Sequence, residues 1–251
     1  MKILRLVNNL ALVLLVSVSC STNEKLDLST PEGLFRQAEI YVQDERYEEA
    51  IQKFNEVKSK HPYSHFATLA ELKVADVYFQ KESYIESQHS YQIFRDLHPK
   101  HAKSDYVTFQ IGMSFYNQLP SSLDRDLAPA EGAISFFDEV TSRYPQSEFA
   151  KQAKENKDKV VHMLAGKEMY IANYYSKQEN ALSALGRYEF VLNKYPQSDY
   201  ESQALFGAAK NAFRIGEIDR GKSHYDQLIK LYPQSDEAKR ANDEFKSSWK
   251  K

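Results

Sequence analysis

The sequence has little glycine and almost no cysteine, and these shortages exclude several classes of protein. Eight glycines among 251 residues supply too few tight turns for an all-β sandwich or barrel, and no glycine-rich phosphate-binding motif is present. A single cysteine excludes an intrachain disulfide and a thiolate cage around zinc. Because 33 basic residues face 35 acidic ones, the net charge is -2, and nucleic acid is not an expected partner.

One apolar run stands out, and it lies at the amino terminus. Lys2 and Arg5 precede residues 10–16, which are all apolar, and small residues lead from there to Cys20. The run is too short to span a membrane. We therefore predict a lipoprotein signal peptide at residues 1–19 and lipidation of Cys20, with an ordinary signal peptide and an incidental cysteine as the alternative. The polar, aperiodic residues 20–30 predict a flexible tether, so that a lipid anchor alone contacts the membrane.

Five prolines share one local context, which predicts a repeat. Each follows a small residue by twelve positions, and an aromatic residue stands four positions after the small one. A further small residue, twelve positions upstream, precedes an aromatic in three of the repeats. This spacing predicts two antiparallel helices that approach at small residues, enclose the aromatics and end at the proline. The prolines are Pro62, Pro99, Pro145, Pro196 and Pro233, and the aromatics are Phe54, Tyr91, Phe137, Tyr188 and Tyr225.

The pattern resembles the tetratricopeptide repeat (TPR), which implies an all-α superhelical solenoid of five helix pairs. The spacing of the prolines predicts an insertion between Asn117 and Pro129 and an extended first helix of repeat four through residues 148–164. Ala238, Ala241 and Phe245 are spaced for a C-terminal capping helix. We thus divide the chain into repeats one to three at residues 31–146, and repeats four and five with the cap at residues 147–251.

Side chains that could perform chemistry are few. His61 and His65, like His98 and His101, are spaced for metal ligands on a helix, but a proline interrupts each pair. His61 and His98 also occupy the position before the repeat proline, where other repeats have tyrosine, which indicates a structural role. No nucleophile motif is present. We predict no metal, no cofactor and no enzymatic activity.

Surfaces are the remaining candidates. In TPR proteins the first helices line a concave groove, and by that resemblance large apolar residues of repeats one to three face a bound peptide. For each of them, ordinary packing between repeats is the alternative. The predicted groove residues are Phe35, Leu72, Asp76, Phe79, Gln80, Phe109, Met113, Tyr116 and Asn117.

The whole chain resembles the BamD (ComL/YfiO) family. The resemblance rests on the lipoprotein start, on Arg125 and Asp126 in the insertion, and on Leu164, Ala165 and Glu168 leading to residues 172–175, Ala-Asn-Tyr-Tyr. It implies an outer-membrane lipoprotein, facing the periplasm, that acts as a scaffold in the β-barrel assembly (BAM) complex. Ser21 after the cysteine agrees with outer-membrane sorting.

The resemblance also implies partners for each half of the solenoid. Repeats one to three would receive unfolded outer-membrane proteins, and repeats four and five would dock the POTRA domains of a BamA-like barrel subunit. Arg187 matches an arginine that the family uses in communicating with that subunit. Other lipoproteins of the assembly are further candidate partners.

Two other classes of protein would share part of this pattern. A periplasmic TPR adapter that coordinates cell-wall synthesis with envelope constriction would share the repeats, but the sequence has no heptad region. A peptidoglycan-active enzyme with a TPR adapter would need a catalytic domain, for which repeats, tether and cap leave no room.

Overall fold

A computed structural model describes residues 26–245, so the predicted signal peptide and Cys20 lie outside the described residues. Within that range the chain forms eleven α-helices. Their bounds are α1 (Pro31–Gln43), α2 (Tyr47–Lys60), α3 (His65–Gln80), α4 (Tyr84–Leu97), α5 (Ser104–Asn117), α6 (Pro129–Arg143), α7 (Ala150–Lys177), α8 (Ala181–Lys194), α9 (Glu201–Arg214), α10 (Ile218–Leu231) and α11 (Asp236–Phe245).

The helices form five antiparallel pairs followed by a single helix, and each of the first ten packs against the next along the chain. First helices also touch first helices, since α1 contacts α3, α5 contacts α7 and α7 contacts α9. These contacts place the first helices on the inner face of the solenoid and the second helices on the outer face. The predicted all-α, TPR-like solenoid with a capping helix is confirmed.

The repeat positions form the core of each pair. All five repeat aromatics are buried, from Phe54, Tyr91 and Phe137 at 0% exposure to Tyr225 at 9%. Burying such a ring contributes about 1.5–3 kcal/mol. The small residue four positions before each aromatic is also buried. A Cβ at Gly221 would lie 2.6 Å from the Phe213 ring of the first helix. Small side chains at these positions therefore let the two helices approach.

The turns repeat as regularly as the core. Between the first and second helices of four repeats, one residue has a positive φ: Glu45, Glu82, Glu179 or Gly216. Before each repeat proline, the residue has φ between -125° and -132° and ψ between 52° and 59°. Proline excludes its predecessor from helical geometry, so the second helix ends there. His61 and His98 share this geometry with the three tyrosines, which confirms their structural role.

Three local departures from the regular repeat lie where the sequence predicted them. Residues 118–128 separate α5 from α6, and α7 is 28 residues long. In α11, Ala238, Ala241 and Phe245 are buried.

The end of the predicted tether is more ordered than expected, because the Thr30 hydroxyl donates to the Asp27 carbonyl at 2.8 Å and accepts from the Gly33 N–H at 3.0 Å. This turn caps α1 and replaces flexible chain at residues 27–30.

Candidate protein-binding surfaces

Six of the nine predicted groove residues are at least partly exposed, and all six lie on the inner face of repeats two and three. Gln80 is exposed, and the other five are partly buried. They lie on α3 and α5, the first helices of two successive repeats. The partly buried five are Asp76, Phe79, Met113, Tyr116 and Asn117.

The other three predicted groove residues are buried, and the prediction that they contact a bound peptide is wrong. The Phe35 ring lies 5.2 Å from that of Phe54, between α1 and α2. Leu72, 2% exposed, belongs to the core shared by repeats two and three. Phe109 stacks on Phe149 with 5.1 Å between ring centroids. A first helix buries one face against its own pair and another against the next repeat, and these residues occupy those faces.

Asp76 binds two tyrosines from different helices. Its Oδ1 accepts hydrogen bonds from the hydroxyls of Tyr91 on α4, at 2.7 Å, and of Tyr106 on α5, at 2.8 Å. Gln110 Nε2 donates to the Tyr106 oxygen at 3.0 Å. Burial raises the pKa of Tyr91 well above its usual value, and burial and the charge of Asp76 raise the pKa of Tyr106. Both hydroxyls therefore remain donors, and Asp76 joins repeats two and three.

Phe79 and Tyr116 are partly exposed and are each held by a neighbouring ring. The Phe79 ring meets that of Tyr84 edge-on at 5.4 Å, and the Tyr116 ring meets that of Phe137 at 6.4 Å. Met113 Sδ accepts a hydrogen bond from Asn156 Nδ2 on α7 at 3.1 Å. Apolar groups fixed in this way can take an incoming side chain with little loss of conformational entropy.

Arg187 lies on the outer helix α8, where its guanidinium pairs with Glu168 of α7 at 2.8 Å. The arginine side chain is 44% exposed and that of Glu168 is 17% exposed, so this is a surface pair. Leu182, 66% exposed, and Phe190, 43% exposed, lie on the same helix. A Cβ on Gly186 would meet no atom within 4 Å.

Sequence reasoning missed the apolar part of this surface. Leu182, Gly186 and Phe190 follow one another at intervals of four, so they share one face of α8, while Ala184, Leu185, Tyr188 and Val191 are buried. The signal was present as a second stripe beside the core stripe. We call Leu182, Gly186, Arg187 and Phe190 the α8 surface.

The described residues offer neither a metal site nor a membrane-spanning helix. Across residues 26–245, no group of three or more histidine, cysteine or acidic side chains could hold a metal ion. His98 Nε2 instead lies 2.7 Å from Glu71 Oε2 of its own repeat. Over the same residues, none of the helices combines the length and apolarity needed to cross a membrane.

The helix pairs define a TPR-like repeat protein, and these surfaces are its candidate protein-binding sites. A family model described as YfiO, outer membrane lipoprotein, matches residues 28–228. The chain belongs to this family.

Relatives in several bacteria are described as outer membrane protein assembly factor BamD. The Rickettsia prowazekii protein is 27% identical over 237 residues, which cover 94% of each chain. The Caulobacter vibrioides protein is 29% identical over 176 residues, 70% of this chain and 57% of the relative. The Vibrio cholerae protein is 25% identical over 236 residues, 89% of this chain and 96% of the relative.

Solved structures that match over most of the chain are distant in sequence. The complex of the yeast Sti1 TPR2AB domain with pHSP90 is 10% identical, with a TM-score of 0.43, and the match covers 83% of this chain and 80% of that one. The pilus biogenesis factor PilW is 15% identical, with a TM-score of 0.37, over 84% of this chain and 98% of that one.

Proposed function

We propose that the protein is a non-enzymatic scaffold lipoprotein of the outer membrane β-barrel assembly complex. It receives unfolded outer membrane proteins on the inner face of repeats one to three, and it docks the POTRA domains of a BamA-like barrel subunit through repeats four and five. The observation that carries this proposal is the family match over residues 28–228, together with relatives described as outer membrane protein assembly factors.

The client site consists of Phe79, Gln80, Met113, Tyr116 and Asn117, beside Asp76. Phe79 and Tyr116 take alternate apolar side chains of an extended client strand, because those side chains point the same way every second residue. Gln80 and Asn117 meet the backbone polar groups of that strand. Removing either ring, by Phe79→Ala or Tyr116→Ala, should weaken binding of a client carboxy-terminal peptide by about 1–2 kcal/mol.

Photocrosslinking tests the location of the client site. A photoreactive amino acid at position 79 should label a client carboxy-terminal peptide. The control is the same amino acid at Tyr63, which is 101% exposed and lies in the loop between α2 and α3. Labelling at position 63 that equals or exceeds labelling at position 79 would contradict the groove.

The docking site is the α8 surface. An arginine flanked by exposed apolar side chains is a common anchor of protein interfaces. Because the pair with Glu168 is partly exposed, Arg187→Leu should lower the free energy of unfolding by only about 1 kcal/mol or less while weakening POTRA binding. A loss of several kcal/mol would show a structural role instead.

Gly186 offers a sharper test of the same surface. Since a Cβ there meets nothing within 4 Å, Gly186→Trp can be accommodated in the free protein but would hold a partner away from α8. The matched control, Gly186→Ala, keeps the surface nearly flat and should bind like the wild type. Undiminished co-purification of the barrel subunit with Gly186→Trp would place the docking site elsewhere.

Localisation rests on Cys20. Cys20→Ala should leave a folded protein that no longer fractionates with the outer membrane, because the described core from Pro31 to Phe245 includes no part of the signal segment. Several acyl chains on one residue hold a domain at a bilayer more firmly than one chain does. Retention of the Cys20→Ala protein in the outer membrane would refute anchoring through this residue.

A further inference from the structure

A second concave site lies in the carboxy-terminal half, away from both proposed surfaces. Helices α7, α9 and α11 enclose a pocket of about 490 Å³, with Tyr188 of α8 and Phe206 of α9 among its lining residues. Phe206 is 7% exposed and Tyr188 is 4% exposed, so both belong to the base of the pocket. This volume falls within the range of ordinary ligand sites.

The pocket is positively charged. Its lining includes Lys177, Lys210, Arg214 and Arg240, against the two carboxylates of Glu179 and Glu237. Lys210 pairs with Glu244 of α11 at 3.4 Å. Within residues 26–245, the other three cations have no carboxylate oxygen within 4.0 Å.

Two of the three unpaired cations are positioned by neutral groups. The Arg214 guanidinium donates to the Ser176 carbonyl at 3.4 Å, and the Arg240 guanidinium lies 4.3 Å from the centre of the Phe206 ring. These contacts hold the guanidinium groups at the pocket and leave donors free for an anion. Most arginines elsewhere on the surface instead bond a carboxylate of the chain, namely Arg36, Arg46, Arg95, Arg143, Arg187 and Arg220.

The neutral groups of the pocket favour a peptide over a small inorganic anion. Asn173 Oδ1 accepts the Tyr188 hydroxyl at 2.7 Å, which fixes the amide plane. Its Nδ2 has no hydrogen-bond partner within residues 26–245 and can donate to a backbone carbonyl. The Phe206 ring, 7% exposed and stacked on Phe245, adds a small apolar area beside Arg240. Free phosphate could also accept a hydrogen bond from Asn173 Nδ2, but it would gain nothing from the apolar ring.

We propose that this pocket binds an extended acidic segment of a partner protein. Lys177, Arg214 and Arg240 pair with its carboxylates, and Asn173 donates to its backbone. The site is separate from the client groove on α3 and α5 and from the α8 surface, and Arg187 does not line it. Either proposed function can fail without affecting this one.

Binding of a defined probe tests the proposal. The full chain, purified in a non-ionic detergent, is titrated against a fluorescein-labelled ten-residue peptide of alternating glutamate and valine, and fluorescence anisotropy is followed. Arg214→Gln combined with Arg240→Gln should weaken binding at least about tenfold, because two charge-assisted contacts are lost. The matched control is Arg46→Gln combined with Arg143→Gln, which removes two exposed arginines outside the pocket and should change binding little.

Two further variants separate a charge effect from a folding effect. Lys177→Gln changes an exposed side chain and should weaken binding several-fold in a fully folded protein. Asn173→Asp keeps the acceptor for the Tyr188 hydroxyl while adding a negative charge, and it should also weaken binding. A peptide with lysine in place of glutamate should not bind the wild type.

Three results would overturn the proposal. One is equal peptide binding by wild type and the pocket variants. Another is tighter binding of inorganic phosphate than of the peptide, lost with the same substitutions. The third is binding of phosphatidylglycerol vesicles, again lost with these substitutions, in preference to the peptide, which would make the pocket a lipid headgroup site.

Discussion

Replacing Asp76 tests whether a residue of the proposed client groove also holds two repeats together. Asp76→Ala removes the acceptor of the Tyr91 and Tyr106 hydroxyls, which bond one carboxylate oxygen at 2.7 and 2.8 Å. Tyr91 is 0% exposed, so its hydroxyl loses its partner without gaining water. Hydrogen bonds to charged groups contribute about 1.5–3 kcal/mol each, and the charge of a partly exposed carboxylate is partly solvated. We expect Asp76→Ala to lower the free energy of unfolding by about 2–4 kcal/mol.

Urea denaturation followed by circular dichroism measures this change, and a double-mutant cycle assigns it. Tyr91→Phe alone should lower the free energy of unfolding by about 1 kcal/mol. The loss in the double variant with Asp76→Ala should be smaller than the sum of the two single losses by about 1–2 kcal/mol. Asp76→Asn, which keeps an acceptor oxygen, serves as the control and should cost less than the alanine. Additive losses, or an alanine variant as stable as the wild type, would refute the bridging role of Asp76.

Two further predictions concern electrostatics and turns. Burial raises the pKa of Glu189 of α8, but its bonds to Arg220 and His224 of α10 more than offset this, so the pKa lies below its usual range. Glu189→Gln should therefore lower the free energy of unfolding at pH 7, and the deficit should shrink as pH falls below about 4.3 in acid-denaturation curves. A constant deficit would contradict this. Glu82 has a φ of 61°, whereas Gly216 holds the same turn position with 82°, so Glu82→Gly should be neutral or stabilising by up to about 1 kcal/mol in thermal melts. Gly216→Ala, the reciprocal change, should destabilise by a similar amount.

The fold could be predicted because its signals are local. A proline, a small residue and an aromatic within 12 positions determine where each second helix ends and which side it buries, and all five repeat aromatics are buried. The insertion after α5 and the length of α7 followed from the distances between prolines, together with the absence of glycine and proline from residues 148–164. The turn that caps α1 was missed, because the Thr30 cap was hidden in a polar segment without periodicity.

The groove was harder to predict because first helices in a solenoid bury two faces and expose a third. Phe35, Leu72 and Phe109 are as apolar as Phe79, and a single sequence does not show which of them packs against the next repeat. Asp76 was predicted only as a groove residue, and the two tyrosines that it binds lie 15 and 30 residues away in the sequence. These hydrogen bonds depend on how α3, α4 and α5 pack against one another. The spacing of residues within one helix does not show that packing.

The inner face changes in charge along the solenoid at one equivalent position. Asp76 and Asn173 each stand 15 residues before a repeat tyrosine, and each accepts its hydroxyl at 2.7 Å. In repeat five the same position is Lys210, and the Tyr225 hydroxyl donates instead to Asn242 of the cap, at 2.7 Å. One structural site thus carries an acid, an amide and a base in turn without loss of the fold. Since electrostatic complementarity selects partners, this change supports the proposal that the two halves of the inner face bind different segments, a client strand in the first half and an acidic segment in the second.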